Sequence, residues 1–409
     1  MKRVCLFLCL VAFAVFAAEP SRCCFDFGSG ALAKGCLPVL PATVYGAGQD
    51  YGFDLKRPVI LKAHDDFISS SESFFFSAAL PEGSYRVKVS LAGAWDGSIV
   101  TIRSESRRLM LENVPVPAGK ISEVTFMVNV RTTAIDGGGN VKLKEREIPY
   151  LHWDEKLTLE FSGTSIRVAA LEIAPVPDLP VLYIAGDSTV CDQPGEPYNS
   201  WGQMLPRFFS PEIVVANHAM SGETIRSSLG ALRFDKIFST MNAGDYLLIQ
   251  YGHNDMKNKA PDAIGIYRND LADLISETRK RGATPVLITS MERKKGMNSP
   301  TLRGYPDAVR NVAHLQGAAL INLNAMSKVL YKALGSDLGQ AFVDGTHHTP
   351  YGSYQLAQCV VEGIRQSDLE LARFIVADLP RFDPGKPDSV DCFSIPPSLT
   401  RDPRKPLGN

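Results

Sequence analysis

Two kinds of hydrophobic patterning divide this chain. Between about residues 20 and 174, short runs rich in valine, isoleucine and phenylalanine recur, and several alternate apolar with polar side chains, as in Tyr85-Arg86-Val87-Lys88-Val89. Such alternation places every second side chain on one face, the pattern of a strand with one buried side. The runs at 73–80, 84–91, 99–103, 121–130, 157–161 and 166–173 are read as strands, separated by turn sequences such as Pro81-Glu82-Gly83 and Asp136-Gly137-Gly138-Gly139. Residues 18–174 are therefore expected to form an all-β sandwich.

The texture changes after Ala174-Pro175-Val176-Pro177-Asp178-Leu179-Pro180, a proline-stiffened stretch in which residues 175–180 are read as a linker. Unbroken apolar runs at 181–185, 213–216, 246–250, 284–289 and 318–322 follow, with helical stretches at 264–281 and 351–364. Runs of this kind alternating with helices predict an α/β unit over residues 181–365, a doubly wound parallel sheet of about five strands. From Phe382 onwards the chain is proline-rich and without period, so the C-terminal extension, 366–409, is expected to pack irregularly on a domain surface.

Composition narrows the function. The chain has 409 residues, 45% hydrophobic and 21% charged, and its 43 basic and 44 acidic side chains leave a net charge of −1. No global field attracts nucleic acid or a membrane surface. Residues 1–17 read as a secretory signal: Lys2 and Arg3, an apolar stretch at 4–16, and Val15-Phe16-Ala17 as the cleavage site. The stretch is short for a span of about 20 residues, so a secreted or periplasmic protein is expected, with no membrane insertion after signal removal. In an oxidising compartment Cys23 or Cys24 can pair with Cys36, although sequence does not fix connectivity. There is no His-x-x-x-His or Cys-x-x-Cys pattern, so neither a metal nor another cofactor is expected.

Four blocks carry the chemistry: Gly186-Asp187-Ser188-Thr189, Ser221-Gly222-Glu223-Thr224, Gly252-His253-Asn254-Asp255 and Asp344-Gly345-Thr346-His347. The first three each follow an apolar run, and loops at the carboxyl ends of parallel strands line one crevice. A serine hydroxyl needs a base to remove its proton, and histidine can do so near neutral pH. Ser188 is the candidate nucleophile, with His347 or its neighbour His348 as the base. Asp344 is placed to orient an imidazole. The backbone N–H groups of Ser188 and Gly222 and the side-chain amide of Asn254 are the candidate oxyanion donors. A Gly-x-Ser-x-Gly elbow is absent around Ser188, so the order of blocks does not suit an α/β-hydrolase.

The four blocks resemble those of the SGNH/GDSL hydrolase superfamily, and the threonine of Gly-Asp-Ser-Thr together with Gly-His-Asn-Asp is most similar to its rhamnogalacturonan acetylesterase branch. The resemblance implies an SGNH-type, flavodoxin-like fold. It assigns Ser188 as nucleophile, Gly222 and Asn254 as oxyanion donors, Asp344 as orienter and His347 as base, leaving His348 as a pocket-wall or exposed residue. The implied activity is removal of acetyl groups from an acetylated polysaccharide, rhamnogalacturonan pectin in particular. The preceding segment, opening with Phe25-Asp26-Phe27-Gly28, is similar to galactose-binding-like sandwiches of bacterial members.

Peripheral roles follow from chemistry. Arg293, beside Lys294 and Lys295, is a candidate to pair with galacturonate carboxylates. His253 either orients its loop or touches substrate, Trp201 is a pocket-wall or packing residue, and Trp95 and Trp153 are stacking platforms or structural residues. Two alternatives stand beside the acetylesterase reading: an esterase or lipase of the same superfamily acting on another acyl ester or another acetylated polysaccharide, and a carbohydrate-binding protein with an inactive esterase domain. The latter should lack a catalytic member, and none is missing.

Overall fold

The computed structural model describes residues 22–408 apart from 47, 55–58 and 298. The segment read as a secretory signal lies outside the described residues. The alternating runs form two facing sheets. One has seven strands, with the path Ile121–Val130, Gly83–Ala92, Ile166–Pro175, Cys23–Phe27 and Leu37–Val39; the other has five, running from Tyr51–Phe53 through Phe74–Ala79, Lys156–Thr164 and Ser98–Ser104 to Arg108–Val116. Along Gly83–Ala92 the residues Tyr85, Val87, Val89 and Leu91 are buried, as the alternation requires. They meet Phe25, Phe27, Phe53, Phe74, Phe76 and Phe161 in one core between the sheets. Cys24 and Cys36 are joined in a disulfide.

The unbroken apolar runs form a five-stranded parallel sheet, ordered Val214–Asn217, Val181–Gly186, Tyr246–Gln250, Thr284–Ile288, Ala319–Ile321. Both faces are covered: Leu182, Ile184 and Leu248 point into one core, and Tyr183, Ala185, Leu247 and Ile249 into the other. Burial on both sides explains why these strands read as continuous apolar segments. The helices Ala263–Lys280 and Pro350–Arg365 lie close to the expected ranges, whereas Arg233–Thr240, Tyr305–Gln316 and Leu323–Leu334 had no counterpart in the sequence reading.

The sheet order reverses at the strand Val181–Gly186, which pairs with Val214–Asn217 on one side and Tyr246–Gln250 on the other. Ligands of open α/β sheets bind at such switch points, outside the carboxyl ends of the strands. Ser188, Gly222 and Asn254 follow the carboxyl ends of these three strands.

The two units are joined by more than the linker. Ala174 and Pro175 still belong to the sandwich, paired with Arg86 and Tyr85. The tip of the hairpin between Ser98–Ser104 and Arg108–Val116 enters the α/β unit, where Arg108 forms a buried 2.6 Å ion pair with Asp192. Glu147, from the excursion between the strands Ile121–Val130 and Lys156–Thr164, meets Arg233 at 2.6 Å with both side chains buried. The C-terminal extension is held at several points across this joint, rather than lying irregularly on one domain surface. Ser398 bonds Glu160 of the sandwich, Asp402 N donates to the Glu196 carbonyl at 2.9 Å, and Arg146 donates to the Lys405 carbonyl at 3.0 Å.

Candidate active site

The strand Val181–Gly186 ends at a glycine with no room for a side chain: a Cβ on Gly186 would stand 2.7 Å from a Val190 methyl and 2.8 Å from the Gln250 carbonyl. This close approach lets the chain turn at once into Asp187 and Ser188. Asp187 Oδ1 then accepts from the N–H and hydroxyl of Thr189, at 2.9 and 2.8 Å. Thr189 Oγ1 in turn accepts from Gln250 at 2.9 Å, so the fourth residue of the block fastens the turn to the neighbouring strand. The buried Asp187 carboxylate would be raised in pKa by its loss of hydration, but it is held below the usual range by the nearby His253 and by the Thr189 donors.

Ser188 Oγ lies 2.9 Å from His347 Nε2, and His347 Nδ1 lies 2.9 Å from Asp344 Oδ2. The other oxygen of Asp344 accepts from the backbone N–H groups of Thr346 and His347, at 2.7 and 2.8 Å. Partial burial alone would raise the Asp344 pKa. The hydrogen bonds from the His347 ring and backbone, the imidazole charge and the Thr346 N–H outweigh it, so the carboxyl is held well below its ordinary range. Asp344 is thus ionised and fixed at both oxygens. The Tyr198 ring stands edge-on to His347, with centroids 5.7 Å apart.

The candidate oxyanion donors lie on the loops that follow the three strands at the switch point. Among the described residues the N–H groups of Ser188 and Gly222 have no hydrogen-bond acceptor. Gly222 has φ +79°, a left-handed conformation suited to glycine. Asn254 Nδ2 donates to the Glu223 carbonyl at 3.0 Å, and its Oδ1 accepts from Lys257 at 2.9 Å. An amide nitrogen carries two hydrogens, so one remains for a ligand. Lys144 reaches the same loop from the sandwich side, with Nζ 2.6 Å from both the Ser221 carbonyl and Glu223.

Sequence reasoning missed the C-terminal residues here. A Cβ on Gly222 would stand 2.8 Å from Leu407 Cβ, and one on Gly408 would stand 2.4 Å from Asn254 Oδ1. The stretch around Leu407 and Gly408 therefore packs directly on Gly222 and Asn254. Its proline-rich sequence carried no signal of that placement.

At two peripheral positions the structure selects between the expected roles, and at His348 it corrects the expectation. Trp201 is fully buried and donates its indole N–H to Gln250 Oε1 at 2.9 Å, so it is a packing residue rather than a pocket wall. His253 is also buried, its Nδ1 3.4 Å from Asp187 and its Nε2 3.1 Å from the Met291 carbonyl; it orients the loop and does not face substrate. His348 is neither exposed nor directed at Ser188. It packs at a tilt against Phe342, ring centroids 4.2 Å apart, and is hydrogen-bonded to the Tyr331 hydroxyl at 2.9 Å, and burial pushes its pKa down to about 3. Arg293 is half-buried and donates to the His253 carbonyl at 3.2 Å. Trp153 is buried and bonded to Glu147, whereas Trp95 is exposed on the sandwich with Arg167 stacked on it.

Residues 184–353 match the model of the GDSL-like lipase/acylhydrolase family. The chain is 34% identical over 218 residues to the rhamnogalacturonan acetylesterase RhgT of Bacillus subtilis, a match covering 48% of this chain and 94% of that protein. It is 27% identical over 385 residues to the uncharacterized esterase YxiM of the same organism, covering 87% of this chain and 94% of the relative. A crystal structure of the B. subtilis YxiM protein aligns with 86% of this chain and 99% of that one, at 24% identity and a TM-score of 0.47.

Proposed function

We propose that this chain, which belongs to the GDSL-like lipase/acylhydrolase family and is a carboxylic-ester hydrolase, removes O-acetyl groups from an acetylated polysaccharide, with rhamnogalacturonan pectin as its substrate. The observation that carries the mechanism is the continuous hydrogen-bonded line Ser188–His347–Asp344, with each link at 2.9 Å. The 34% identity to RhgT, a protein described as a rhamnogalacturonan acetylesterase, supports the substrate.

In this reading the Ser188 hydroxyl donates to His347 Nε2, which takes the proton as Oγ attacks the acetyl carbonyl. Asp344 keeps Nδ1 protonated and stabilises the imidazolium that forms. The carbonyl oxygen gains its charge facing the N–H groups of Ser188 and Gly222 and the amide of Asn254, donors that need not reorganise during the step. His347 then gives its proton to the departing sugar oxygen. Water, deprotonated by the same ring, attacks the acetyl-Ser188 ester, and the ring passes that proton to Ser188 Oγ as acetate is released. Arg293 pairs with a substrate carboxylate, and residues 1–17 direct the protein out of the cytoplasm.

The test is release of acetate from acetylated rhamnogalacturonan, with acetylated xylan and a long-chain acyl ester in parallel. Release from the pectin in preference to the other two is the expected result. Hydrolysis of the long-chain ester alone would overturn the substrate assignment.

A further inference from the structure

We infer that Arg107, a residue of the β-sandwich, is a positioning residue for the reaction at Ser188, holding the nucleophile's loop and the base's neighbour from the other unit. The inference rests on the roles of Ser188 and His347 proposed above.

The hairpin tip Glu105-Ser106-Arg107-Arg108 is polar, yet each of these residues is buried. Glu105 and Arg107 have φ of +53° and +65°, so two side-chain-bearing residues adopt a left-handed conformation to shape the tip. Arg107 projects into the α/β unit. Its Nη1 donates to the Tyr198 carbonyl at 2.9 Å and to the Gln193 carbonyl at 3.3 Å, while Nη2 lies 3.7 Å from Glu196. One guanidinium thus holds both ends of the loop 193–198.

Both ends touch reacting residues. The side-chain amide of Gln193 donates to the Ser188 carbonyl at 2.6 Å and to Ser221 Oγ at 3.4 Å. Tyr198 places its ring edge against His347. Two more hairpin contacts secure the same region: Arg108 pairs with Asp192 at 2.6 Å, and the Ser106 carbonyl accepts from Gln203 at 2.5 Å. Burial lowers the Arg107 pKa to about 10, so the group remains charged at neutral pH.

A buried arginine costs hydration that an apolar joint would not lose. Here one nitrogen, Nη1, reaches both carbonyls while Nη2 faces Glu196, so the planar group meets three partners in the loop at once. Ser188 Oγ and His347 Nε2 must stay within hydrogen-bond reach for proton transfer, and a displacement of about 1 Å is enough to cost roughly 100-fold in rate. Arg107 reaches the nucleophile through Gln193 and the base through Tyr198, so its loss loosens both sides of that distance.

The test uses the full chain carrying Arg107→Met, Arg107→Lys, Gln193→Met, the Arg107→Met/Gln193→Met pair, or Arg167→Met. Arg167 is a buried sandwich arginine whose partners, the carbonyls of Gly93 and Gly97, the Asp96 carboxylate and the Trp95 ring, all belong to the sandwich, and it serves as the matched loss of a buried guanidinium. kcat and KM for a small acetyl ester are measured with the melting temperature. Arg107→Met and Gln193→Met should each lower kcat about 10- to 100-fold with KM within about twofold. The double variant should be no worse than its poorer parent, Arg107→Lys should recover part of the loss, and Arg167→Met should lower the melting temperature without lowering kcat. A folded Arg107→Met with wild-type kcat, or one that loses no more than Arg167→Met, overturns the inference. If Arg107→Met does not fold, unchanged kcat in both Gln193→Met and Arg107→Lys overturns it. A wild-type chain inactive on every ester would instead sink the functional reading beneath it.

Discussion

Ser188 Oγ and His347 Nε2 lie 2.9 Å apart although 159 residues of chain separate them. The distance is set by elements on both sides. Ser188 follows the strand where the sheet order reverses, and the His347 loop is tied back by the Asn199 N–H, which donates to the His348 carbonyl at 3.0 Å. His348 pairs with both Asn199 and Phe342 in isolated bridges. The second histidine therefore anchors the loop that presents the first.

Asp344 tests whether orientation of His347 matters as much as its presence. Asp344→Asn keeps the size of the side chain but favours the wrong tautomer, and kcat should fall by about 10⁴-fold, as when the equivalent orienting acid is changed in other Ser-His-Asp sites. Ser188→Ala and His347→Ala should each be nearly as inactive as the pair, since members of one catalytic unit do not contribute additively. Steady-state hydrolysis of a small acetyl ester measures both. A multiplicative loss in the double variant would mean that the two residues do not act together.

The oxyanion donors give a second prediction. Asn254→Ala should lower kcat by about 10²- to 10³-fold with little effect on folding. Gly222→Ala should also lower kcat, because φ there is +79° and the new methyl would stand 2.8 Å from Leu407 Cβ. Truncating Leu407 to alanine in the Gly222→Ala background does not remove that Cβ and should not restore activity. Full rescue by Leu407→Ala would show that the clash lies further out along the side chain.

How much of this was legible in the sequence depended on whether the signal was local. Alternation revealed Gly83–Ala92, and doubly buried apolar runs revealed the parallel strands, because one strand's own side chains report which faces are covered. The helices Tyr305–Gln316 and Leu323–Leu334 are amphipathic yet went unread, their apolar stripes being short and interrupted by polar residues that the fold buries, such as Asn324 and Ser327. Sequence leaves Trp201 and His253 open between two roles for a related reason. A polar atom on a large side chain suggests a ligand, while here Gln250 and the Met291 carbonyl satisfy it inside the protein. The buried hairpin tip and the seat of Leu407 on Gly222 depend on long-range packing that no local pattern records.

Buried histidines make a third prediction, on stability. His152 and His218 are pushed well below the ordinary histidine range, first by burial and then by nearby arginines, and His348 down to about 3 by burial and by His347 and His253. The unfolded chain takes up protons on these groups near pH 6.5, about where free histidine titrates, and the folded chain does not. The contribution of these three groups is therefore complete above that pH and is lost as pH falls from about 6.5 towards 3, each adding a slope of up to about 1.4 kcal/mol per pH unit, partly offset by Glu105 and Asp255, whose pKa values burial raises to about 8 and about 7. Urea unfolding followed from pH 7 to pH 4 should show the fall, and His348→Gln should make it shallower while retaining most of the activity at pH 7. Equal slopes would mean that His348 is not held neutral.

Trp201 separates packing from binding. Trp201→Ala should destabilise the fold by about 3–5 kcal/mol, the usual cost of emptying a large aromatic site. KM of the folded fraction should stay within about twofold, because the indole faces Gln250 and the core rather than substrate. Chemical denaturation and steady-state kinetics on the same preparation give both values. A large rise in KM without loss of stability would return Trp201 to the substrate pocket.

The central claim is that Ser188 carries the acetyl group in transit. Acid quenching of the enzyme during turnover of an acetyl ester, followed by peptide mass spectrometry, measures this directly. The account predicts acetyl on the peptide containing Ser188 and none on that peptide in Ser188→Ala. Acetylation of a different residue that persists at the same level in Ser188→Ala, with hydrolysis undiminished, would contradict it.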